Sequence, residues 1–269
     1  MAPHTHPQIG IIGAGHLGIC VARILLAHGW PRHRWLISHR RGPASLSVLA
    51  AEGFLASAVT NQDAVDQADF VFLTVRPGDL ESLRGLSIPP KAVLVSCLAG
   101  VSISAVEAAL DHPAVRVLPS SPTSLEHGIG IAGVFPRQPE VEALVDGWGI
   151  EVKPLAQEED FHAFCACLCL PAALLEWQQQ GRDLPTDPLL GLHEELPGFP
   201  GLIGWARSVT PQDLSAQERQ SYIARMATPG GVTEAMVRSL EAPGADFSTA
   251  FAAAIARSRE LADQAAPSP

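Results

Sequence analysis

The chain predicts an α/β protein, with an N-terminal Rossmann-type parallel-sheet domain over residues 1–155 and an all-helical domain over 156–269. Three observations carry that expectation. Short apolar runs alternate with helix-period segments through the first half, as parallel strands joined by crossover helices do. A glycine-rich turn lies between the first such run and the first such helix. From about Gln157 the strand-like runs stop and long helical patterns take over.

In order, Ile9 to Ile12 reads as the first strand, and Ile19 to His28 as a helix with Val21, Ile24, Leu25 and Leu26 available for packing. Trp35-Leu36-Ile37 is the second strand. Phe70 to Val75 is a buried-strand run stopped by Arg76-Pro77, and Val93 to Ser96 is another, with a helix near Ile103 to Leu110. Val115 to Leu118 ends in Pro119-Ser120-Ser121-Pro122; Gly128 to Phe135 reads as a further strand, Glu140 to Asp146 as a helix and Glu151 to Lys153 as a last short strand. In the second half, Phe161 to Gln180 is a long apolar helix that Pro171 is expected to kink. Arg182 to Gly204 is dense in Pro and Gly, and Ser215 to Arg225, Val232 to Leu240 and Phe247 to Asp263 read as helices.

The turn Gly13-Ala14-Gly15-His16-Leu17-Gly18 has the setting of a dinucleotide site. Gly13 permits the tight turn, Gly15 lets backbone approach a pyrophosphate, and Gly18 lets the helix press on the strand. The N–H groups at His16 and Leu17 belong to a helix start, which favours phosphate. About 20 residues beyond Gly18, where NAD enzymes place an acidic residue for the ribose, the chain has Ser38-His39-Arg40-Arg41. A guanidinium favours a 2′-phosphate by charge and by its forked donors, so the expected cofactor is NADP(H). In such sheets ligands bind outside the carboxyl ends of the strands, which places the loops at Arg76-Pro77, Ala99-Gly100 and Pro119-Ser120-Ser121-Pro122 in the candidate site.

A net charge of −10, with 18 scattered basic residues, argues against a nucleic-acid surface. No uninterrupted apolar run approaches 18 residues, and the start of the chain has neither a charged nor an apolar leader segment. The expectation is a cytoplasmic protein with reduced thiols and no membrane partner. On a helix, Cys165 and Cys169 share a face that Cys167 does not. That is poor geometry for a shared metal, so these cysteines are expected in the core and no metal is expected.

Thr228-Pro229-Gly230-Gly231-Val232-Thr233 opens a helix. Thr228 can cap it, Pro229 suits its first position, and the terminus can hold a carboxylate. Together with Met226-Ala227 before it, Leu240-Glu241-Ala242-Pro243-Gly244 and Arg257-Ser258-Arg259-Glu260-Leu261, this segment resembles the C-terminal signature of the pyrroline-5-carboxylate reductase family. Phe72 to Pro77, Leu98 to Ile103 and Arg116 to Pro119 fall in that family's order, and Ser38-His39-Arg40 sits at its NADP loop. The resemblance implies NADPH-dependent reduction of a cyclic imine to proline by a homodimer or larger homo-oligomer whose helical domain dimerises. In the family, the Pro-Gly-Gly turn of one subunit binds the substrate carboxylate beside the nicotinamide held by another. Carried over, Thr228, Gly230, Gly231 and Val232 bind the carboxylate, Gly231 and Val232 through backbone N–H groups. Thr233 hydrogen-bonds the ring nitrogen, Ser120 lies on the substrate side, and Val75, Arg76, Pro77, Ala99 and Gly100 flank the nicotinamide.

The chain departs from the family at Cys167-Leu168-Cys169-Leu170-Pro171-Ala172, where the family has a Ser-Gly-Ser-Gly-Pro-Ala-like stretch, and at Ser120-Ser121-Pro122, where it has Asn-Thr-Pro. Two alternatives stay open. A β-hydroxyacid dehydrogenase would require a catalytic lysine on the helix Phe161 to Gln180, which has none, and a lone His162 on an apolar helix reads as structural. A non-catalytic NADP-binding sensor would keep the cofactor turn without turnover.

Overall fold

The computed structural model describes residues 6–40, 42–182 and 199–265. The chain forms two compact units, the first running to Val152 and the second from Lys153 to Gln264.

The first unit contains β1 (Ile9–Ile12), α1 (His16–Ala27), β2 (Trp35–Ser38), α2 (Pro43–Ala51), β3 (Ala58–Val59), α3 (Asn61–Asp66), β4 (Phe70–Leu73), β5 (Val93–Ser96), α4 (Ile103–Leu110), β6 (Ala114–Pro119), α5 (Pro122–Glu126), β7 (Ile131–Phe135) and α6 (Pro139–Asp146). β8 (Glu151–Pro154) completes a sheet of order β3-β2-β1-β4-β5-β6-β7-β8. Chain order reverses between β1 and β4, which is where such sheets open a ligand crevice.

Both faces of the sheet are covered, which is why its strands read as continuous apolar runs. Ile9, Ile11, Phe70 and Phe72 pack on one side with Ile24, Leu25, Trp30 and Trp148. Ile12, Val71 and Leu73 pack on the other with Val65, Leu80, Val106 and Leu110. Each fully buried side chain of this size contributes about 1.5–3 kcal/mol.

The sheet is parallel from β3 to β6, and β7 runs antiparallel to β6. The parallel-sheet expectation holds from β3 to β6, and β7 is the exception. The β6–β7 connection holds only the short α5 and a turn at Gly128 (φ +68°), and antiparallel strands accept short connections where parallel ones need a long crossover. The strand expected from Gly128 starts only at Ile131, because α5 occupies the residues before the turn. α2, β3, α3 and α5 are also present, without a counterpart among the segments expected from the sequence pattern. β3 is two residues long, and α3 is six residues held by a capping box between Thr60 and Asp63.

The second unit contains α7 (Asp160–Gln179), α8 (Phe199–Val209), α9 (Ala216–Met226), α10 (Val232–Glu241) and α11 (Phe247–Ala265). α7 packs against α8, α9 and α10. By length and composition α7 could cross a membrane, with a mean hydropathy of 1.3, yet 72% of that apolar window is buried inside the protein. Its apolar surface has protein partners, such as Ala172 and Leu175 against Ile223 and Val237. Pro171 lies inside a helix assigned without interruption from Asp160 to Gln179. His162 is buried, with Nδ1 2.9 Å from Ser258 Oγ and Nε2 3.6 Å from Glu159; its ring ties α7 to α11. Of the Pro- and Gly-rich stretch, residues 183–198 lie outside the described residues, and α8 begins at Phe199.

Gly10 in β1 faces α3: a Cβ there would stand 2.3 Å from the Ala64 carbonyl oxygen. Gly10→Ala is therefore expected to destabilise the protein by about 2–3 kcal/mol through overpacking. Urea unfolding checks this, and an unchanged midpoint would contradict the close approach.

Candidate active site

Strand register places the first group of residues. Ile12 pairs with Ser38 on one side and Leu73 on the other, and Leu73 pairs with Ser96. The next residues of these strands, Gly13, His39, Thr74 and Cys97, therefore leave the sheet along one carboxyl edge.

The three glycines of the turn have different structural reasons. Gly13 has φ +112°, and a Cβ on it would stand 2.9 Å from Val75 Cγ1. A Cβ on Gly18 would stand 1.9 Å from the Gly13 carbonyl oxygen and 2.8 Å from Thr74 Oγ1. Gly15 is different: it caps α1 with no side-chain hydrogen bond, and the nearest atom to its Cβ position is 4.0 Å away. No neighbouring atom crowds a side chain at 15, so the space before the helix start is open. The first turn of α1 has no acidic residue, and His16 beside Gly15 is exposed while Leu17 is half-buried. The open space at Gly15 and these free amides fit a diphosphate.

The turn is held by side chains outside it. Thr74 Oγ1 lies 3.1 Å from the Ile12 carbonyl oxygen and 2.9 Å from that of Gly13 and donates to this pair. The Gly13 N–H donates to Ser38 Oγ at 3.1 Å. Ser38 is buried, so its hydroxyl positions the glycine turn instead of facing solvent. His39 Nδ1 lies 3.0 Å from the Arg40 carbonyl oxygen. Arg40 ion-pairs with Asp79 of the 3₁₀ segment Pro77–Leu83 while its side chain stays 75% exposed. The pairing uses one of five donors and leaves the rest for an anion. Arg41 lies outside the described residues. Val75 is half-buried, Arg76, Pro77 and Ala99 are exposed, and Gly100 turns at φ +72°.

Ser120 is buried and accepts from the Ile131 N–H at 3.1 Å and from Ser124 Oγ at 2.8 Å. Its hydroxyl closes the β6–β7 connection.

In the second unit, Thr228 to Gly231 is a β-turn. The Gly231 N–H donates to the Thr228 carbonyl at 2.8 Å, with Pro229 and the positive-φ Gly230 (φ +71°) at the central positions, the type II pattern. The expectation that Thr228 caps the helix is corrected: Gly231 is the N-cap of α10, and Thr228 lies one turn earlier. A Cβ on Gly231 would stand 2.5 Å from Thr228 Oγ1, so the threonine's presence dictates glycine there. The Gly231 N–H, expected on the substrate carboxylate, is spent within the turn. The Val232 and Thr233 N–H groups, at the first two helical positions, have no intrahelical partner.

Charge surrounds this turn. Glu234 accepts from the Gly230 N–H at 2.6 Å and pairs with Arg238 at 2.8 Å. Arg257 Nε donates to the Gly230 carbonyl at 2.7 Å, and its Nη1 pairs with Glu260 at 2.8 Å. Thr233 is half-buried, and its hydroxyl donates to Cys169 Sγ at 3.2 Å. The hydrogen bond with Cys165 and burial push the Cys169 thiol well above its ordinary value.

Sequence reasoning gave Thr74, Asp79 and Glu234 no role, read Arg257 only as part of the family signature and placed Cys169 in the core. Glu234 had a signal: an acid in the first turn of a helix often reaches back to free N–H groups. The others act across elements and left no local trace.

Residues 8–100 match the family described as NADP oxidoreductase, coenzyme F420-dependent. The chain is similar to the pyrroline-5-carboxylate reductase of Pseudomonas aeruginosa, 30% identical with 96% of this chain and 98% of that one covered. It is 27% identical to the Corynebacterium melassecola enzyme of the same name, covering 94% and 98%. Among solved structures, the Coxiella burnetii pyrroline-5-carboxylate reductase shares the fold with a TM-score of 0.58 at 20% identity, covering 98% of this chain and all of that one.

Gly15→Ala is expected to leave the thermal unfolding midpoint unchanged and weaken dinucleotide binding about tenfold or more, since only the ligand approaches that position. Gly18→Ala should lower both. Thermal unfolding and fluorescence titration with NADPH separate the two; a destabilised Gly15→Ala variant would refute the assignment.

Proposed function

Because the chain belongs to the pyrroline-5-carboxylate reductase family, we propose that it reduces pyrroline-5-carboxylate, or a close cyclic imine carboxylate, to the saturated amino acid with NADPH. The observation that carries this reading is the Thr228–Gly231 turn opening α10, with half-buried Thr233 two positions into the helix. That arrangement offers helix-start amides to a carboxylate and a hydroxyl to a ring nitrogen.

NADPH when bound supplies the hydride. In the first unit, the α1 start around Gly15 holds the diphosphate and Arg40 the 2′-phosphate, with Thr74 and Ser38 keeping the turn in shape. Val75, Arg76, Pro77, Ala99 and Gly100 flank the nicotinamide. In the second unit, Val232 and Thr233 amides receive the substrate carboxylate. Positioning two reactants supplies most of the rate in such chemistry, and the reaction asks for no side chain that exchanges a proton with carbon. The dehydrogenase alternative would need a lysine on α7, and α7 has none. We further propose a cytoplasmic homodimer or larger homo-oligomer; none of its five cysteines forms a disulfide.

Stopped-flow or steady-state oxidation of NADPH with pyrroline-5-carboxylate tests the reading, and tight NADPH binding without turnover of any cyclic imine would replace it with a sensor. Arg40→Asp is expected to weaken NADPH about thirtyfold or more and NADH by less than about threefold; equal losses in titration would remove Arg40 from phosphate recognition. Thr233→Ala should lower kcat about tenfold or more at unchanged NADPH affinity, and unchanged turnover would remove Thr233 from the mechanism.

A further inference from the structure

We propose that Cys169 is a positioning residue that fixes Thr233 as a hydrogen-bond acceptor, so that the site selects the protonated, iminium form of its substrate over the neutral imine. This rests on the reductase reading above and goes beyond it by naming the protonation state recognised and the residue that sets it.

The geometry is a directed chain. Cys169 Sγ donates its proton to the backbone carbonyl of Cys165, one turn back on α7, at 3.3 Å. Thr233 Oγ1 donates its proton to the same sulfur at 3.2 Å. A threonine hydroxyl has one proton and two lone pairs, so a hydroxyl that gives its proton to sulfur presents only acceptor capacity elsewhere. A neutral imine nitrogen carries a lone pair and needs a donor; an iminium N–H is a donor and needs an acceptor. Thr233 so held matches the second and repels the first. The iminium is also the form whose carbon accepts hydride, because the positive nitrogen draws electrons from the C=N bond. Recognition and reactivity thus select the same species.

The arrangement requires Cys169 to stay a thiol. It is 5% exposed, and the groups acting on it are Cys165 and Cys167 of α7 and Thr233 of α10. Cys165 and burial disfavour the thiolate. The charges around the turn are internally paired: Glu234 with Arg238 on α10, and Arg257 with Glu260 on α11. Cys169 therefore supplies no titration of its own through neutral pH, and the alkaline limb of activity belongs to the substrate's iminium.

Two measurements test this. In difference infrared spectra of the full-length protein, the S–H stretching band lost in Cys169→Ser identifies this thiol, and Thr233→Val is expected to shift that band because the sulfur loses its donor. In the kcat/KM–pH profile with pyrroline-5-carboxylate, Cys169→Ala should fall about five- to tenfold at low pH, the worth of one hydrogen bond. Its alkaline limb should also extend by about one pH unit, since the freed Thr233 hydroxyl can pass its proton to the neutral imine nitrogen as hydride reaches the carbon, with water returning a proton to Thr233. Cys169→Ser, which can accept from Thr233 and donate to the Cys165 carbonyl, should restore the wild-type profile. An unmoved S–H band overturns the pairing whatever the activity. An active wild type whose Cys169→Ala variant keeps the same alkaline limb overturns the selection of the iminium. A wild type that reduces no imine defeats the reductase reading instead, while the band still judges the pairing.

Discussion

In the first unit α1 sits tightly against its own entry turn, where a single methyl on Gly18 would stand 1.9 Å from the Gly13 carbonyl oxygen. Everything on the carboxyl edge follows from it. The same carbonyl lies within reach of Thr74 Oγ1 at 2.9 Å, and the Gly13 N–H donates to Ser38. Both ends of the Gly13 peptide region are thus held by strands on opposite sides of β1. A turn clamped this way fixes where the α1 amides point before any ligand arrives. Such fixed dipoles hold a diphosphate without reorganisation when it binds.

The two helix starts use the same device with opposite local charge. α1 begins with no acidic residue in its first turn, leaving the partial positive charge of the helix start uncompensated. α10 begins with Glu234, which takes the Gly230 N–H and pairs with Arg238. The first suits a ligand with several negative charges. The second is already partly neutralised, which suits a single carboxylate and tolerates a cationic nitrogen nearby. The difference follows from one residue type at one helical position, and it supports the proposed division of diphosphate and carboxylate between the two starts.

How much of this was legible in the sequence depends on the range of the interaction. β1, β4 and β5 and the helices α4, α7 and α10 were readable because covering both faces of a sheet, or one stripe of a helix, writes itself into every residue of the element. α3 escaped because six residues carry too little period, though its Thr60–Asp63 capping box was written locally. The reversal of β7 escaped because direction is set by the length and shape of a connection, and hydrophobicity does not record it. At the site, Gly13, Gly15 and Gly18 were legible from spacing alone. The assignment of Thr228 as a cap was not, because a Pro-Gly-Gly run fits both a helix start and a type II turn. The bond from Gly231 to Thr228 decides for the turn.

The cysteines of α7 are where sequence and structure part most usefully. By composition they read as small core residues, and for Cys167, fully buried, that reading suffices. Cys169 sits one turn past Cys165 and reaches α10 as well, so one sulfur serves helix packing and the orientation of a hydroxyl together. A buried thiol can do both because sulfur is a weak donor and a weak acceptor. It adds direction to Thr233 without holding it as tightly as a carboxylate would, and without adding a charge beside it. A stronger acceptor at 169 would order the hydroxyl more firmly but would bring a desolvation cost that a thiol avoids. The choice of sulfur at this position is thus explicable as a compromise between orientation and burial, made inside the core and read out at the first turn of α10.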